Sequence, residues 1–287
     1  MTRFAPTLVL LAGFGLAACN GGTDGESDPA GENATVAGHV APTGNQASPV
    51  SPQPERTEAI DLKEKSDALE FSYRIPAEAA AIPGLADMLK TRAETAKRDA
   101  LTEHAEMAES LPVDAPARAF ELTVDWSVAA DTPQLLVLTA EGYDYRGGAH
   151  GMPIHRVLYW DKAAAREIPF DALFTDRAAA LATVRDDFCA KLDKARADKR
   201  GISLAELKKS TDDTMESFTA CPEFDEKIPV AFTHPVGGKF GRITFIVPPY
   251  IAGPYAEGDY TLDLMIPKAM IPYVADKYRP SFPGTGN

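Results

Sequence analysis

The first half of the chain alternates apolar and polar residues in several segments, which predicts β-strands. Large apolar residues take every second position at 69–75 and 119–128, and segment 134–145, QLLVLTAEGYDY, also predicts a strand. A shorter segment of the same kind follows at 155–160. A period of two residues is typical of strands with one buried face. Because the turn at 130–133 joins two of these strands directly, we predict an antiparallel meander.

Apolar residues spaced three or four apart predict helices in other segments. A long amphipathic helix is predicted at 84–110 and a second at 176–200, where Gly201 supplies a left-handed C-cap. A third helix begins at Ser203, because Glu206 three residues later completes a capping box. The last two helices form an insertion between two runs of strands.

The last third of the chain returns to strands. Segments 229–233 and 242–247 flank the glycine-rich turn 237–241, which predicts a hairpin, and another strand is predicted at 260–266. A short helix at 268–273 closes the fold. Because strands and helices come in separate runs, the predicted fold class is α+β, with antiparallel sheets, a long N-terminal helix and a helical insertion.

The N-terminus has the pattern of a bacterial lipoprotein signal. A basic start, MTR, precedes the apolar stretch 8–15, which is too short to span a bilayer. It ends in LAAC, so residues 1–18 are predicted to be the signal peptide and Cys19 the lipidated residue. The alternative is an ordinary secretory signal that contains a cysteine. Asn20, in place of aspartate, favours the outer membrane, with the protein facing the periplasm.

Residues 19–60 are predicted to be a disordered tether between the lipid and the globular part. This segment is rich in Gly, Pro, Ser, Thr and Asn, and it holds too few large apolar side chains to fold. Two α+β parts are predicted beyond it, at 61–165 and 166–280. The alternative is that these two parts form one continuous globule.

Composition and charge narrow the classes of partner. The 287 residues include 45% apolar and 25% charged side chains, which is ordinary for a globular protein. The formal net charge is −13 and the isoelectric point is near 4.9. Such a balance repels phosphate backbones, so no nucleic-acid partner is expected. A basic partner is favoured by electrostatic steering.

The chain has three cysteines, and lipidation of Cys19 leaves Cys189 and Cys221. In an exported protein, two remaining thiols predict one disulfide. Closing a loop of 221 − 189 = 32 residues stabilises by about 3–4 kcal/mol in the chain-entropy model. The alternative is a pair of free, buried cysteines.

The segment 143–151, YDYRGGAHG, is the densest run of recognition-type residues in the chain. It joins two predicted strands, and its glycines permit φ > 0 or the close approach of a partner. The alternative is a structural connection in which the tyrosines pack and the arginine pairs with a nearby carboxylate. The predicted ligand-binding residues of this segment are Tyr143, Tyr145, Arg146, Gly147, Gly148 and His150.

A second candidate segment, 248–258, contains two Pro-Tyr pairs and two glycines. Because tyrosine is enriched at interfaces, Tyr250 and Tyr255 are predicted to contact a ligand. The alternative is a rigid connector whose tyrosines fill the rim of the core.

Neither a metal site nor a cofactor is predicted. His150 and His155 are five residues apart and lack the helical spacing that presents two ligands on one face. Motifs for a serine nucleophile, a Walker loop or a dinucleotide are missing from the sequence. The acidic segment 210–214 is interpreted as a solvated patch. His150 is a candidate acid–base residue without an identified partner, so no catalytic residue is assigned.

The two tyrosine- and glycine-containing segments together resemble an envelope domain family of unknown activity. The resemblance lies in the Gly-Gly-Ala-His-Gly motif that ends at Gly151 and in the stretch from Pro249 to Gly258. This family includes the extracytoplasmic region of the anti-sigma factor RsiV and the N-terminal module of the peptidoglycan deacetylase PdaC. The resemblance covers about residues 65–275 and implies the accessory or binding part of such proteins, which in RsiV binds lysozyme.

These observations predict a lipid-anchored, non-catalytic envelope protein that binds cell-wall glycan or a wall-active protein such as lysozyme. Its contact with the membrane runs through the N-terminal lipid. Two alternatives stay open. One is a peptidoglycan- or polysaccharide-modifying hydrolase or deacetylase that uses His150, and the other is a structural envelope lipoprotein.

Overall fold

The structure is a computed structural model that describes residues 57–112, 117–209 and 218–284. The predicted signal peptide, Cys19 and nearly all of the predicted tether lie outside the described residues. The described residues belong to one compact unit. Among their helices, none combines the length and the apolar character that crossing a bilayer requires.

Six strands form the larger sheet, in the order in which they occur along the chain. Neighbours pair antiparallel, except that the second and third strands are parallel. The strands are β1 (Ile60–Lys65), β2 (Leu69–Ile75), β3 (Phe120–Asp131), β4 (Leu135–Tyr145), β5 (Met152–Asp161) and β6 (Arg166–Ile168). Strands β3, β4 and β5 confirm the predicted meander.

The parallel pair of β2 and β3 requires a crossover connection, and a long helix supplies it. After the single turn α1 (Ala77–Ala80), helix α2 (Pro83–Ser110) carries the chain back to the start of β3. Proline suits the first helical position, where the missing N–H needs no partner. The buried side chains of α2 pack on one face of the sheet at spacings of four and seven residues, and include Leu85, Leu89, Ala93 and Ala100.

Strand β1 is not predicted from its sequence, IDLKEK. It lies at the edge of the sheet, and only Ile60 and Leu62 are partly buried while most of its other residues are exposed. Two apolar side chains are too few to establish a period of two residues. Pairing with β2, which comes from tertiary structure, therefore decides the conformation of this segment.

Three helices and a smaller antiparallel sheet of three strands make up the rest of the described chain. The helices are α3 (Arg177–Ala182), α4 (Arg185–Arg200) and α5 (Leu204–Lys209). The strands are β7 (Val230–Thr233), β8 (Arg242–Val247) and β9 (Tyr260–Met265). The predicted helix at 268–273 is a short 3₁₀-helix, Lys268–Tyr273. The fold is therefore mixed α+β with sheets that are mostly antiparallel.

The helix predicted at 176–200 is in fact two helices, separated at Thr183 and Val184. The Thr183 hydroxyl donates to the carbonyl oxygen of Ala180 at 2.6 Å, a local bond that competes with the helical backbone. Val184 has φ −116 and ψ 1, outside helical geometry, yet its side chain is buried. The apolar period continues through the break, so spacing alone does not show it.

The caps predicted for the helical insertion are present. Gly201 follows α4 in the left-handed conformation, with φ 65 and ψ 31. The Ser203 hydroxyl accepts the N–H of Glu206 at 3.2 Å, and the Glu206 carboxylate accepts the N–H of Ser203 at 2.8 Å. These reciprocal bonds are those of a capping box.

Strand β4 is buried on both faces and joins two apolar cores. Leu136 and Leu138 face the core that lies under α2. Leu135 and Val137 face the core formed with the smaller sheet and the helices α3 and α4. Because successive side chains of a strand point to opposite faces, one continuous apolar run serves both layers.

The predicted disulfide is present. Cys189 on α4 is bonded to Cys221, and their Cα atoms are 5.5 Å apart. The bond ties the helical insertion to the segment that leads into β7.

A buried carboxylate at the end of β5 fastens the C-terminal segment to the larger sheet. Asp161 accepts the N–H of Ala164 at 2.9 Å and the Tyr278 hydroxyl at 2.7 Å, and it pairs with Lys277. Burial alone would raise the pKa of Asp161. The three donors outweigh burial and lower the pKa to about 2.

We expect Asp161→Asn to lower the free energy of unfolding by about 2 kcal/mol at neutral pH. The folded-state pKa lies below the ordinary value of 3.8, so this contribution is present above about pH 4 and is lost as the pH falls toward 2. Denaturant unfolding of both proteins between pH 7 and 2 measures the difference. Asp87→Asn, at an exposed position, is the control. A deficit that stays constant over this range would contradict the linkage.

Candidate binding site

Two segments with aromatic residues meet beside β5. One is the connection 146–151 between β4 and β5, and the other is the loop that precedes β9. The His150 ring stacks on the Tyr255 ring, with centroids 3.9 Å apart and planes inclined by 21°. The Tyr250 ring lies 6.0 Å from that of Tyr255, and its hydroxyl is 3.5 Å from His150 Nε2. We call these three residues and Tyr143 the aromatic cluster.

Tyr143 joins the aromatic cluster from the end of β4. Its hydroxyl accepts the N–H of Gly151 at 2.7 Å, which folds the connection back onto the strand. A Cβ atom at Gly151 would lie 2.6 Å from Tyr143 Cζ and 2.6 Å from the carbonyl oxygen of Asp144. No side chain fits at these distances, so the motif must end in glycine.

The contacts of His150 fix its tautomer. Nδ1 lies 3.0 Å from the carbonyl oxygen of Gly151, which can only accept, so Nδ1 of the neutral ring carries the proton. Nε2 is then an acceptor and faces the hydroxyl of Tyr250. In the described part of the chain, no carboxylate is hydrogen-bonded to His150. This environment is that of an aromatic surface.

Tyr250 has a left-handed backbone conformation, with φ 68, which is rare for a bulky residue. Its N–H donates to the carbonyl oxygen of Gly253 at 2.8 Å, and this bond closes the turn. Tyr250 is 49% exposed, so the strained turn presents its ring to solvent. Strained residues that the surroundings hold in place concentrate at functional sites.

A cleft of about 360 Å³ opens beside the aromatic cluster, a size within the range of small-ligand sites. Burial, followed by the neighbouring Tyr143, raises the pKa of Tyr255, so its phenol is uncharged at neutral pH. Rings, prolines and carboxylates line the cleft, and they include Tyr143, Pro153, Pro249, Tyr255, Glu257 and Asp259.

Three of the predicted binding residues shape the connection and lie outside the aromatic cluster. Gly147 and Gly148 form its turn, with φ 91 and 83. The Tyr145 hydroxyl donates to the carbonyl oxygen of Gly148 at 3.2 Å. These contacts are internal to the connection and support its shape.

Arg146, the fourth predicted binding residue outside the aromatic cluster, is engaged with carboxylates. It pairs with Asp144, and its guanidinium lies 3.1 Å from the carboxylate of Glu103 on α2. The guanidinium carbon also lies 5.6 Å from the centre of the Phe120 ring. Arg146 therefore anchors the connection to α2, as in the structural alternative for this residue.

Two cations at the end of α4 hold the loop that carries Tyr250 and Tyr255. Lys199 donates to the carbonyl oxygens of Glu257 and Asp259. Arg200 pairs with the Glu257 carboxylate through Nε at 2.8 Å and through a terminal nitrogen at 3.2 Å. Tyr255 lies only two residues before Glu257, so this bidentate pair fixes its backbone.

Arg196 is fully buried one turn earlier on α4. Its guanidinium donates to the carbonyl oxygens of Ala252 at 2.9 Å, Ala220 at 2.9 Å and Thr219 at 3.0 Å, and it lies 3.3 Å from the carboxylate of Asp193. Burial lowers the pKa of Arg196, but arginine titrates so far above neutrality that the charge is kept. The guanidinium therefore links α4, the segment beside the disulfide and the loop that carries Tyr250 and Tyr255, which we call the aromatic loop.

Glu257 is the central acceptor of this anchor. Its side chain is 14% exposed and accepts from Arg200 and from the Tyr260 hydroxyl. Burial alone would raise the pKa of Glu257, but these two donors outweigh it and lower the pKa. Burial, and then the hydrogen bond to Glu257, raise the pKa of Tyr260 to about 12. At neutral pH the carboxylate is therefore ionised and the phenol is a donor.

A second contact ties the loop to β5. His155 Nε2 lies 2.8 Å from Asp259 Oδ2, although the carboxylate is off the direction of the ring N–H. The His155 side chain is only 9% exposed, and its Nδ1 has no hydrogen-bond partner in the described part of the chain. Over the same residues, no three His, Cys, Asp or Glu side chains could hold a metal ion together.

The residues that hold the aromatic loop in place are not predicted from the sequence. Arg196, Lys199 and Arg200 have the charge expected of the solvated face of α4. One signal was available for Arg196, which follows the buried Phe188 and Leu192 by eight and four residues and so lies on the apolar stripe.

Comparisons with known proteins agree with the resemblance found in the sequence. Residues 62–153 match the family model described as Deacetylase PdaC. This region includes the Gly-Gly-Ala-His-Gly motif, and the predicted resemblance to the PdaC-containing family is confirmed. Among curated proteins, none matches the chain.

Two crystal structures of the DUF3298 family are similar to this chain. One, from Pseudomonas aeruginosa PAO1, is 17% identical, with 79% of this chain and 97% of that chain covered and a TM-score of 0.43. The other, from Bacteroides fragilis NCTC 9343, is 15% identical, with 77% and 94% covered and a TM-score of 0.43.

We expect Gly253→Ala to loosen the aromatic loop. A Cβ atom at Gly253 would lie 2.2 Å from Glu257 Oε2 and 3.1 Å from the Tyr260 hydroxyl, so Glu257 must leave its position against Arg200. Losing this charged hydrogen-bonded pair costs about 1–2 kcal/mol of stability. Thermal and denaturant unfolding measure the loss.

The matched control is Gly84→Ala in α2. There a Cβ atom would meet Trp160 at 3.6 Å, an ordinary contact, and alanine favours the helix by about 0.5–1 kcal/mol. Stability should therefore stay the same or rise. Equal losses in the two variants would show that the close approach to Glu257 is not the cause.

Proposed function

We propose that this chain is a lipid-anchored protein of the cell envelope that binds cell-wall glycan through its aromatic cluster. The stacked rings of His150 and Tyr255, with the exposed ring of Tyr250 beside them, carry this proposal. We further propose that the domain acts by binding and that catalysis is not its role.

The location in the envelope is supported by three independent features. The sequence LAAC at residues 16–19 follows an apolar stretch of signal-peptide length. The pair Cys189–Cys221 is disulfide-bonded, which is typical of an exported protein. The match to the PdaC family model points to the same compartment through the resemblance already described. Anchoring at the outer membrane rests on Asn20 alone.

Glycan binding is supported by the form of the surface. A sugar ring has an apolar face of C–H groups and a polar rim of hydroxyls. The rings of His150, Tyr250 and Tyr255 offer apolar faces, and the adjoining cleft adds hydrogen-bonding groups at its wall. Small-ligand sites are usually pockets lined by apolar and aromatic side chains, with a few polar groups that point into them.

The surface is also held ready before a ligand arrives. Lys199 and Arg200 fix the loop on one side, and the hydroxyl of Tyr143 fixes the connection on the other. A ligand therefore does not have to order these segments when it binds, which reduces the entropic cost of association.

A wall-active protein such as lysozyme is the alternative ligand. The net charge of −13 favours a basic partner by steering. The same exposed tyrosines would then serve as interface residues.

A second candidate function is deacetylation or hydrolysis of wall polysaccharide. It is favoured by the description of the matching family model, Deacetylase PdaC, and by the position of His150 Nε2 as an acceptor 3.5 Å from the Tyr250 hydroxyl. His150 would then act as the acid–base residue.

We expect Tyr250→Ala and Tyr255→Ala each to weaken retention on insoluble peptidoglycan about tenfold, because each removes a central aromatic contact. The measurement is co-sedimentation of purified full-length protein in detergent, at increasing amounts of peptidoglycan. Met265→Ala, which removes a 66% exposed apolar side chain on β9, should bind like the wild type.

The same variants on immobilised lysozyme separate the two ligands. If the protein is retained on lysozyme but not on peptidoglycan, the ligand is a wall-active protein and the proposed glycan binding is wrong. If the wild type is retained on neither, binding to the wall through this surface is wrong.

For the enzymatic candidate, release of acetate and of reducing ends from peptidoglycan is measured with the wild type and with His150→Ala. We expect the two proteins to give the same background, because no carboxylate among the described residues is hydrogen-bonded to His150. Product formed by the wild type and abolished in His150→Ala would replace the binding proposal by an enzymatic one.

A further inference from the structure

Strand β5 has an unpaired edge. One side of β5 pairs with β4 along its whole length, from Met152 to Asp161. The other side pairs with β6 only from Tyr159 to Asp161. Alternate residues of an antiparallel strand bond to the neighbouring strand, and the N–H of Lys162 bonds to Gln134 on the β4 side, so Pro153, His155 and Val157 face outward. In the described part of the chain, the carbonyl groups of these three residues and the N–H groups of His155 and Val157 form no hydrogen bonds to other backbone or side-chain groups. A row of unpaired N–H and C=O groups is a template for an added strand.

A cleft of about 600 Å³ runs along this edge. Three consecutive residues of β5, His155, Arg156 and Val157, line it. Successive side chains of a strand point to opposite faces, so a cavity on one face would touch only alternate residues. The cleft therefore borders the edge of the strand, where the backbone is accessible.

The cleft has a closed end and a far wall. At the closed end the Tyr159 hydroxyl donates to the carbonyl oxygen of Val230 at 2.9 Å and accepts the N–H of Phe232 at 3.1 Å. These two bonds occupy backbone groups at the edge of β7. The far wall is the segment 225–230, and within the described residues its backbone forms no hydrogen bond with the backbone of β5. The wall leaves a slot beside the edge, and a slot of this kind admits a single strand more readily than the whole sheet of a second copy.

Charge defines the occupant further. Arg92 pairs with Glu167 and Arg177 with Asp171, so these lining residues neutralise each other. On the far wall Asp225 accepts the N–H of Lys227, and neither Asp225 nor Glu226 forms a salt bridge with a described residue. Among the described lining residues Arg156 also forms no salt bridge, so the unpaired charges are two carboxylates and one guanidinium, and the carboxylates are in excess. The apolar floor between the walls includes Tyr159, Phe170 and Ile228.

We propose that the cleft binds an extended basic peptide, which pairs with the free edge of β5 as an added strand. In this arrangement the peptide backbone satisfies the unpaired groups of Pro153, His155 and Val157. Apolar side chains cover the floor, and a lysine or arginine pairs with Asp225 and Glu226. The site is separate from the aromatic cluster and does not depend on the proposed glycan binding.

The test uses purified full-length protein in detergent and a fluorescent seven-residue peptide that alternates valine and lysine. Fluorescence anisotropy measures its affinity. Two further probes replace lysine by glutamate, or carry N-methyl groups on alternate amides along the pairing side. We expect the lysine peptide to bind, and the other two to bind at least about tenfold more weakly, because they lose the charge match or the strand hydrogen bonds.

Two double variants isolate the charged wall. Asp225→Asn with Glu226→Gln should weaken binding of the lysine peptide about tenfold. Glu106→Gln with Glu109→Gln, at exposed positions of α2, removes the same charge elsewhere and should leave affinity unchanged. Tyr250→Ala should also leave it unchanged, since that residue belongs to the aromatic cluster. Equal weakening by the two double variants would show non-specific attraction and overturn the proposal.

Hydrogen exchange locates the bound peptide. We expect amide exchange of His155 and Val157, whose N–H groups face outward, to slow when the lysine peptide is added. Equal binding of the N-methylated peptide, or protection only elsewhere, would overturn strand addition. Protection of the same residues that rises with protein concentration in the absence of peptide would assign the edge to a second copy of this chain and would also overturn the proposal.

Discussion

The geometry of the aromatic surface depends on the burial of one guanidinium. Arg196 is fully buried, and an uncompensated charge in that place would cost several kcal/mol. Three backbone carbonyls and Asp193 surround it and offset that cost only while all of them stay in position. The carbonyl of Ala252 belongs to the aromatic loop, and those of Thr219 and Ala220 come just before Cys221. The buried guanidinium therefore keeps its acceptors only while α4, this loop and the disulfide-bonded segment stay in the same relative position. The position of Tyr255 follows from that requirement.

Local periodicity was sufficient to predict most of the elements. Strand β2 follows directly from the apolar alternation at 69–75, and α2 from apolar residues on one helical face. The capping box at Ser203 and the C-cap at Gly201 also depend only on neighbouring residues. The disulfide followed from a count of cysteines in an exported chain. Each of these features is decided within a few turns of chain or by composition.

The features that were missed depend on contacts between distant segments. Strands β2 and β3 are parallel because α2 carries the chain back to the end of the sheet at which β2 begins. The sequences of the two strands do not show this direction. Strand β1 exists because β2 pairs with it. In the candidate site, Tyr143, His150, Tyr250 and Tyr255 could be named from residue type, whereas the stacking of His150 on Tyr255 joins residues that lie far apart in the sequence. Lys199 and Arg200 were missed because a cation that pairs with a distant loop looks the same in a sequence as one on a solvated helix face.

Strand β5 borders two candidate binding surfaces, and a different interaction would hold a ligand at each. Its N-terminal end follows His150 and contributes Pro153 to the cleft beside the aromatic cluster, while its edge borders the larger cleft. Contact with neutral rings buries apolar area and is nearly independent of ionic strength. Attraction to Asp225 and Glu226 acts between exposed charges and is screened by salt over about 10 Å at 0.1 M. Salt therefore weakens a basic peptide at the edge and spares an uncharged glycan at the rings, so that an ionic-strength series distinguishes these two ligands before any residue is changed.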